Sequence, residues 1–259
     1  MKILWRPAMQ VEIIGRGAWG GALAALVERG GHKVGIGGDL ILIAVPSANF
    51  REAARAIVDK TRPVIICTKG MEGELFMSEI LAAEGFSRFG VLSGPQFASE
   101  VAAGLPTGST LAGDDEIIRL GRAALGEFYL ETTDDVIGVE VCGCGKNAAA
   151  IAAGFYSVRA RGENERAMML SRAWREVADF GRAIGARTET FLTLAGTGDL
   201  FLSATSTTSR NYSEGVALAK GAVATGTIEG IPALHGIVRR AAALGIPTPV
   251  LASIEGLIK

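Results

Sequence analysis

Histidine and cysteine are scarce in this chain of 259 residues, with two of the first and three of the second. His32 and His235 have no aspartate placed to form a general-base pair, so both read as structural, which argues against a histidine-based 2-hydroxy-acid dehydrogenase. Cys67, Cys142 and Cys144 are too few for a disulfide framework and suit a reducing cytoplasm. The Cys142-Gly143-Cys144 spacing invites a metal or redox reading. No second pair or nearby histidine completes such a site, and residues two apart on a helix point to nearly opposite sides. Small buried thiols are therefore expected. Positive charge is not in excess: 26 Lys+Arg against 27 Asp+Glu give a net charge of -1, so no nucleic-acid footprint is present. No run of 18 apolar residues points to a membrane span, and residues 1–10 lack the apolar stretch of a signal peptide. A cytoplasmic location is expected.

What is present is a 49% hydrophobic composition, enough for two modest domains or one large one with a sizeable core. The first half alternates short apolar, β-branched runs (11–14, 40–45, 64–67, 90–92, 109–112 and 128–131) with amphipathic stretches (22–29, 50–59, 76–83 and 116–125). That alternation predicts an α/β fold with a parallel, doubly wound, Rossmann-like sheet. From about residue 135 the β-branched runs stop. Helical stretches follow at 136–158, 163–184, 210–220 and 231–244, with Gly185, Gly221 and Gly245 just past the helix ends. The chain thus reads as a dinucleotide-binding domain (1–134) and an all-helical substrate-binding domain (135–259).

Gly15-Arg16-Gly17-Ala18-Trp19-Gly20 follows a strand and opens a helix. Gly15 permits the turn, Gly17 lets the backbone approach a diphosphate, and Gly20 lets helix and strand pack closely. Diphosphate oxygens would face the helix N–H groups and the positive end of the dipole. A plain structural turn is the alternative reading. The next stretch is unusual. A second strand at 33–36 should end in an acidic residue for a ribose or a basic one for a 2′-phosphate, yet Gly37-Gly38-Asp39 leads at once into the run 40–45. A parallel strand needs a crossover of about a dozen residues. Three residues reach only about 10 Å, whereas a six-residue strand is roughly 20 Å long. The two runs are therefore not expected to be successive parallel strands. Residues 31–39 act as linker, or pair antiparallel at an edge, or a stretch of chain is missing between Gly38 and Asp39. Asp39 is read as leading into the strand rather than as a ribose ligand.

The chemistry-bearing residues are few. Lys69 follows the run 64–67, and the end of a parallel strand is where ligands bind in such sheets; a solvated loop lysine is the other reading. Gly94 and Gln96 follow the next run and precede a helix beginning near Ala98. Lys146 lies in a small-residue helix, where desolvation and a neighbouring cation lower a lysine pKa and make it usable in acid–base chemistry. Asp199 is its expected partner and orienting group. Ser209-Arg210-Asn211 reads as an N-cap and first helical turn, suited to clamping a phosphate.

Together these residues resemble NAD(P)-dependent glycerol-3-phosphate dehydrogenase of the bacterial type. The matching stretches are GRGAWGGALA, DLILIAVPS, ICTKGMEG, LSGPQFASEVAAGLPT, DVIGVEVCGCGKNAAAIAAG, GTGDLFLSATSTTSRN and IEGIPAL, in the family's order over nearly the whole chain. The resemblance implies a Rossmann-like domain followed by a 6-phosphogluconate-dehydrogenase-like helical domain. It implies NAD or NADP as cofactor and hydride transfer at C2, interconverting dihydroxyacetone phosphate and sn-glycerol 3-phosphate for phospholipid synthesis. Lys146 takes the acid–base position, and Lys69 the second lysine, touching substrate and cofactor. Gly94, Gln96, Asn147, Asp199, Ser209, Arg210 and Asn211 take the substrate shell. Ala18, Trp19, Ala98, Thr227 and Glu229 take cofactor positions, with Arg210 also near the cofactor.

The departures are specific. The family's long stretch between HKVGIGG and DLILIAVP, with the end of the second strand, its adenosine-contacting basic residue and the third strand, is absent here. Cys142, Cys144 and Gly145 alter the turn into Lys146, and Ser157-Val158-Arg159 replaces an Asp-Gly pattern. Two other functions stay open on sequence: a catalytically silent binder of a phosphorylated metabolite, and a dehydrogenase of a related small phosphorylated ketone. A homodimer is compatible with the helical domain but not required.

Overall fold

The computed structural model describes residues 8–222 and 228–258. Strand β1 (Gln10–Ile14) and helix α1 (Ala18–Arg29) come first, then β2 (Lys33–Val34), β3 (Leu40–Ile43), α2 (Phe50–Ala56) and β4 (Val64–Ile66). A small hairpin, β5 (Met71–Glu72) with β6 (Leu75–Phe76), leads to α3 (Met77–Ala83) and β7 (Phe89–Ser93). The sheet is completed by α4 (Ala98–Ala102), β8 (Gly108–Ala112), α5 (Asp115–Ala124) and β9 (Tyr129–Thr133). Helices follow: α6 (Val136–Arg159), α7 (Glu163–Ala183), α8 (Asp199–Thr205), α9 (Arg210–Ala219), α10 (Gly230–Ala243) and α11 (Pro249–Glu255). A Rossmann-like sheet domain is thus joined to a helical C-terminal domain.

The seven-stranded sheet has the order β2-β1-β3-β4-β7-β8-β9. The chain reverses its winding between β1 and β3, and the crevice at such a switch point is where ligands bind. Leu40 and Leu42 pack with α1 and α5 residues such as Leu23 and Ile117 on one face. Ile41 and Ile43 pack on the other with Phe50, Met77 and Ile80, in a core that continues through α6, α7 and α10. This alternation is the period-two signature of a strand covered on both faces. Each fully buried Leu or Ile contributes about 1.5–3 kcal/mol.

Two expectations about the sheet are corrected. It is not wholly parallel, because β8 runs antiparallel to β7. The stretch between them holds only the short α4, and without a full crossover the chain returns alongside in the opposite direction. Second, β2 and β3 are successive strands after all, and both run parallel to β1, on opposite sides of it. That expectation holds for a long second strand. The observed one has two residues and stops at Val34, so the turn 35–39 has almost no strand length to retrace. Gly38 lies against the Gln10 backbone, where a Cβ would sit 2.1 Å from the carbonyl oxygen.

Helix α6 is the long apolar helix of the described residues, and length and composition alone would let it cross a membrane. It is instead the central helix of the C-terminal domain, buried from Gly138 to Gly154. Its small residues allow this: a Cβ on Gly154 would lie 2.0 Å from the Tyr212 carbonyl, so α9 touches it backbone to backbone. Glu140 of α6 accepts from the Ser78 N–H (2.9 Å) and hydroxyl at the start of α3, tying the two domains together. Burial pushes Glu140 up to about 7 against those two donors. All three cysteines are free and buried, and burial pushes the Cys67 thiol up to about 12. His235 pairs with Glu255 at 2.8 Å, and His32 bonds the Met9 N–H and the Ala123 carbonyl.

Candidate active site

A cleft of ≈ 480 Å³ opens at the switch point. Gly17, Ala18 and Trp19 at the start of α1 and Ala44, Val45 and Pro46 after β3 line one side of it. Opposite them stand Lys146 and Asn147 of α6, Ser203 of α8, and Ser209, Arg210 and Asn211 at the start of α9. Lys69, Gln96, Ala98 and Glu229 also line it.

The glycine loop is shaped by close approach. Gly15 has φ +121°, and a Cβ there would sit 2.4 Å from the Ala44 carbonyl oxygen. A Cβ on Gly20 would sit 2.0 Å from the Gly15 oxygen, so α1 enters directly against the strand end. These two glycines pack the loop, while Gly17 and its successors face the cleft. The first N–H groups of a helix have no partner within it, and no side chain caps α1, which leaves them for an anion. Trp19 is anchored by its Nε1 donating to the Cys67 carbonyl at 3.1 Å.

Asp199 joins the two lysines. Its Oδ2 accepts from Lys69 Nζ at 2.7 Å, and its Oδ1 lies 3.0 Å from Lys146 Nζ. Lys69 also donates to the Gly94 carbonyl at 2.7 Å, and Lys146 to Ser203 Oγ at 2.8 Å. Asp199 is 1% exposed, and Lys146 is nearly as buried at 9%. Burial works to raise the carboxyl, but Lys146 and then Lys69 hold it below its ordinary value. Burial drives the Lys69 ammonium down to about 8; Asp199 opposes that fall and the neighbouring Lys146 adds to it. One carboxylate shared by two ammonium groups leaves a net positive charge beside the cleft.

A second set of bonds fixes the rim. Asn147 Nδ2 donates to the Lys69 carbonyl at 3.3 Å, Asn211 Nδ2 to Asn147 Oδ1 at 2.8 Å, and the Gly230 N–H to Asn211 Oδ1 at 3.1 Å. Glu229 accepts from the Ser47 N–H at 3.0 Å and from its hydroxyl, which ties the start of α10 to the turn after β3. Ser209 caps α9 by accepting from the Tyr212 N–H at 3.4 Å. Arg210 is exposed in the cleft, and no hydrogen bond or ion pair holds it among the described residues. Gln96 donates to Ser109 Oγ, while its Oε1 is buried without a partner.

The structure therefore brings together Lys69, Gln96, Ala98, Lys146, Asn147, Ser209, Arg210, Asn211 and Glu229 with Gly17, Ala18 and Trp19. Gly15, Gly20, Gly94 and Asp199 are not in the cleft wall but behind it. The Gly94 carbonyl reaches the cleft through Lys69, and Asp199 through both lysines. Thr227 lies outside the described residues. Asp39 leads into β3 and accepts from the Gln10 N–H at 3.0 Å. Ser203 was missed on sequence, although its place four residues after Asp199 puts both on one face of a helix.

Family comparison agrees with this geometry. The family model described as the C-terminus of NAD-dependent glycerol-3-phosphate dehydrogenase matches residues 135–259, and the corresponding N-terminus model matches residues 35–118. The chain is 35% identical to glycerol-3-phosphate dehydrogenase [NAD(P)+] of Methylobacterium radiotolerans, across 96% of this chain and 91% of that one. The chain belongs to the NAD-dependent glycerol-3-phosphate dehydrogenase family. That alignment runs over 307 positions against the 259 residues of this chain, so gaps here are part of the match. The crystal structure of glycerol-3-phosphate dehydrogenase from Coxiella burnetii superposes with a TM-score of 0.88 at 29% identity, covering 97% of this chain and 94% of that one. A ketopantoate reductase from Ralstonia eutropha, at 20% identity and a TM-score of 0.65, shares the fold over 96% of this chain and 97% of that one.

Proposed function

We propose that this protein is an NAD(P)-dependent glycerol-3-phosphate dehydrogenase that interconverts dihydroxyacetone phosphate and sn-glycerol 3-phosphate in the cytoplasm, with a cofactor domain at 1–134 and a substrate domain at 135–259. The observation that carries this reading is the Lys69–Asp199–Lys146 cluster facing the glycine loop across one cleft. The residues present fit the nicotinamide and diphosphate of the cofactor: free N–H groups at the start of α1 suit phosphate oxygens, and the close packing at Gly15 and Gly20 opens the backbone to them. The chemistry supplied by a bound nicotinamide is hydride transfer to or from C2.

The protein's own residues do the rest. Arg210 and the first turn of α9 hold the substrate phosphate, a charge-assisted contact at a helix start. Lys146 Nζ gives a proton to the C2 oxygen on reduction and takes it back on oxidation, which neutralises the developing alkoxide. Asp199 and Ser203 keep that ammonium aimed at the cleft. The free Gln96 Oε1 accepts from a substrate hydroxyl. Lys69 is the rival proton donor, because its lowered pKa of about 8 is nearer working pH.

The test is a substrate panel with either cofactor. Dihydroxyacetone phosphate should turn over, whereas unphosphorylated dihydroxyacetone should lose most of kcat/KM. Equal rates on both would overturn the phosphate clamp and with it the substrate.

A further inference from the structure

We infer that the cleft recognises only the nicotinamide and diphosphate half of its cofactor and leaves the adenosine in solvent. NAD and NADP are then not told apart, and nicotinamide mononucleotide is an adequate ligand. This rests on the dehydrogenase reading above.

In a doubly wound sheet the adenosine lies beyond the C-terminal end of the second strand, where an acidic side chain takes the ribose 2′-hydroxyl or a basic one the 2′-phosphate. Here β2 accompanies β1 only at Gln10 and Val11, whereas β1 runs on through Glu12 and Ile13 to Ile14. At about 3.3 Å per residue, β2 stops roughly 10 Å short of the glycine loop. The chain then turns back toward the start of β1: the Gly35 N–H donates to the Val11 carbonyl (3.0 Å), Gln10 Nε2 to the Ile36 carbonyl (2.7 Å), and the Asp39 N–H to the Gln10 carbonyl (2.6 Å). Among the described residues, the stretch after β2 therefore does not extend to the position where a ribose ligand would stand.

The nearby carboxylates are committed elsewhere. Glu12 pairs with Arg62 at 2.6 Å and accepts from the Gly37 N–H at 3.0 Å. Asp39, which by residue count could have been the ribose ligand, bonds Gln10 at the opposite end of β1. Among the described residues, none between Gly20 and Ile43 lines the cleft. Arg16, the one charged residue of the loop, is exposed and adds attraction for phosphate of any kind. Recognition therefore ends at the diphosphate.

The experiment is calorimetric titration of the intact protein with NADH, NADPH and reduced nicotinamide mononucleotide, and with 5′-AMP and 2′,5′-ADP as probes of the adenosine half. NADH and NADPH should bind within about threefold of each other, the mononucleotide within about tenfold, and neither adenosine probe at millimolar concentration. Asp39→Asn should leave NADH affinity unchanged. A dinucleotide preference above about tenfold over the mononucleotide, a similar gap between NADH and NADPH, or binding of an adenosine probe would overturn the inference while leaving the dehydrogenase reading standing. Failure of all three nicotinamide ligands to bind would overturn both.

Discussion

The two walls of the cleft are built in opposite ways. On the substrate wall, Lys69, Lys146 and Ser203 are interlocked through Asp199 behind them, and Asn147 and Asn211 brace the set. On the cofactor wall, Gly17, Ala18 and Trp19 offer backbone N–H groups and a helix end, and the strand that should extend the wall stops at Val34. One wall acts through side chains that can be deleted one at a time; the other acts through backbone geometry. Substitutions on the substrate wall should therefore be costly, and most side-chain substitutions on the cofactor wall mild.

The largest expected effect is that of Lys146→Ala, which removes the proton donor and should lower kcat about 10²–10⁴-fold in steady-state assays. A near-normal kcat there, with loss in Lys69→Ala instead, would move the acid–base role to Lys69. Asp199→Asn should lower stability by about 3–5 kcal/mol in urea unfolding, because two buried ammonium groups lose their shared counter-charge. An unchanged midpoint would show that the cluster is solvated rather than interlocked. Arg210→Ala should raise KM for the phosphorylated substrate about 10–100-fold with a smaller change in kcat.

The pH profile separates the two walls further. Lys69 loses its proton as pH rises through about 8, and the positive charge beside the phosphate goes with it. Substrate kcat/KM should fall above that pH, and Lys69→Arg should flatten the fall. Stability should move the other way: between about 8 and the ordinary 10.5 the unfolded chain holds a proton that the folded one has released, so folding strengthens with pH there. The smallest effect lies away from both walls. Glu140 keeps its proton up to about 7 in the folded state, against an ordinary 4.5, so its share of stability is lost as pH rises through that window. Glu140→Gln should flatten that slope with little change in turnover.

Much of this was legible in the residues themselves. The glycine loop, Lys69, Lys146 and the Ser209–Asn211 turn stand in local patterns whose physics is local: a tight turn, a strand end, a helix start. The helix ends were legible for the same reason, with Gly185, Gly221 and Gly245 all at positive φ. What escaped was set by tertiary pairing. Lys33-Val34-Gly35-Ile36 alternates like a strand, but how far it runs depends on the partner it finds, and it leaves β1 after Val11. The direction of β8 depends on how much chain lies before it. The sharing of Asp199 by two lysines depends on the end of β4 and the middle of α6 meeting at the start of α8, which no spacing records.

A chain with a full substrate wall and a curtailed cofactor wall should still be a working enzyme. Consumption of NADH or NADPH by the intact protein, followed with and without dihydroxyacetone phosphate, decides this. Substrate-dependent oxidation of both cofactors is expected, with sn-glycerol 3-phosphate as product. Calorimetric binding of sn-glycerol 3-phosphate with no turnover in either cofactor would contradict it and leave a silent phospho-metabolite binder.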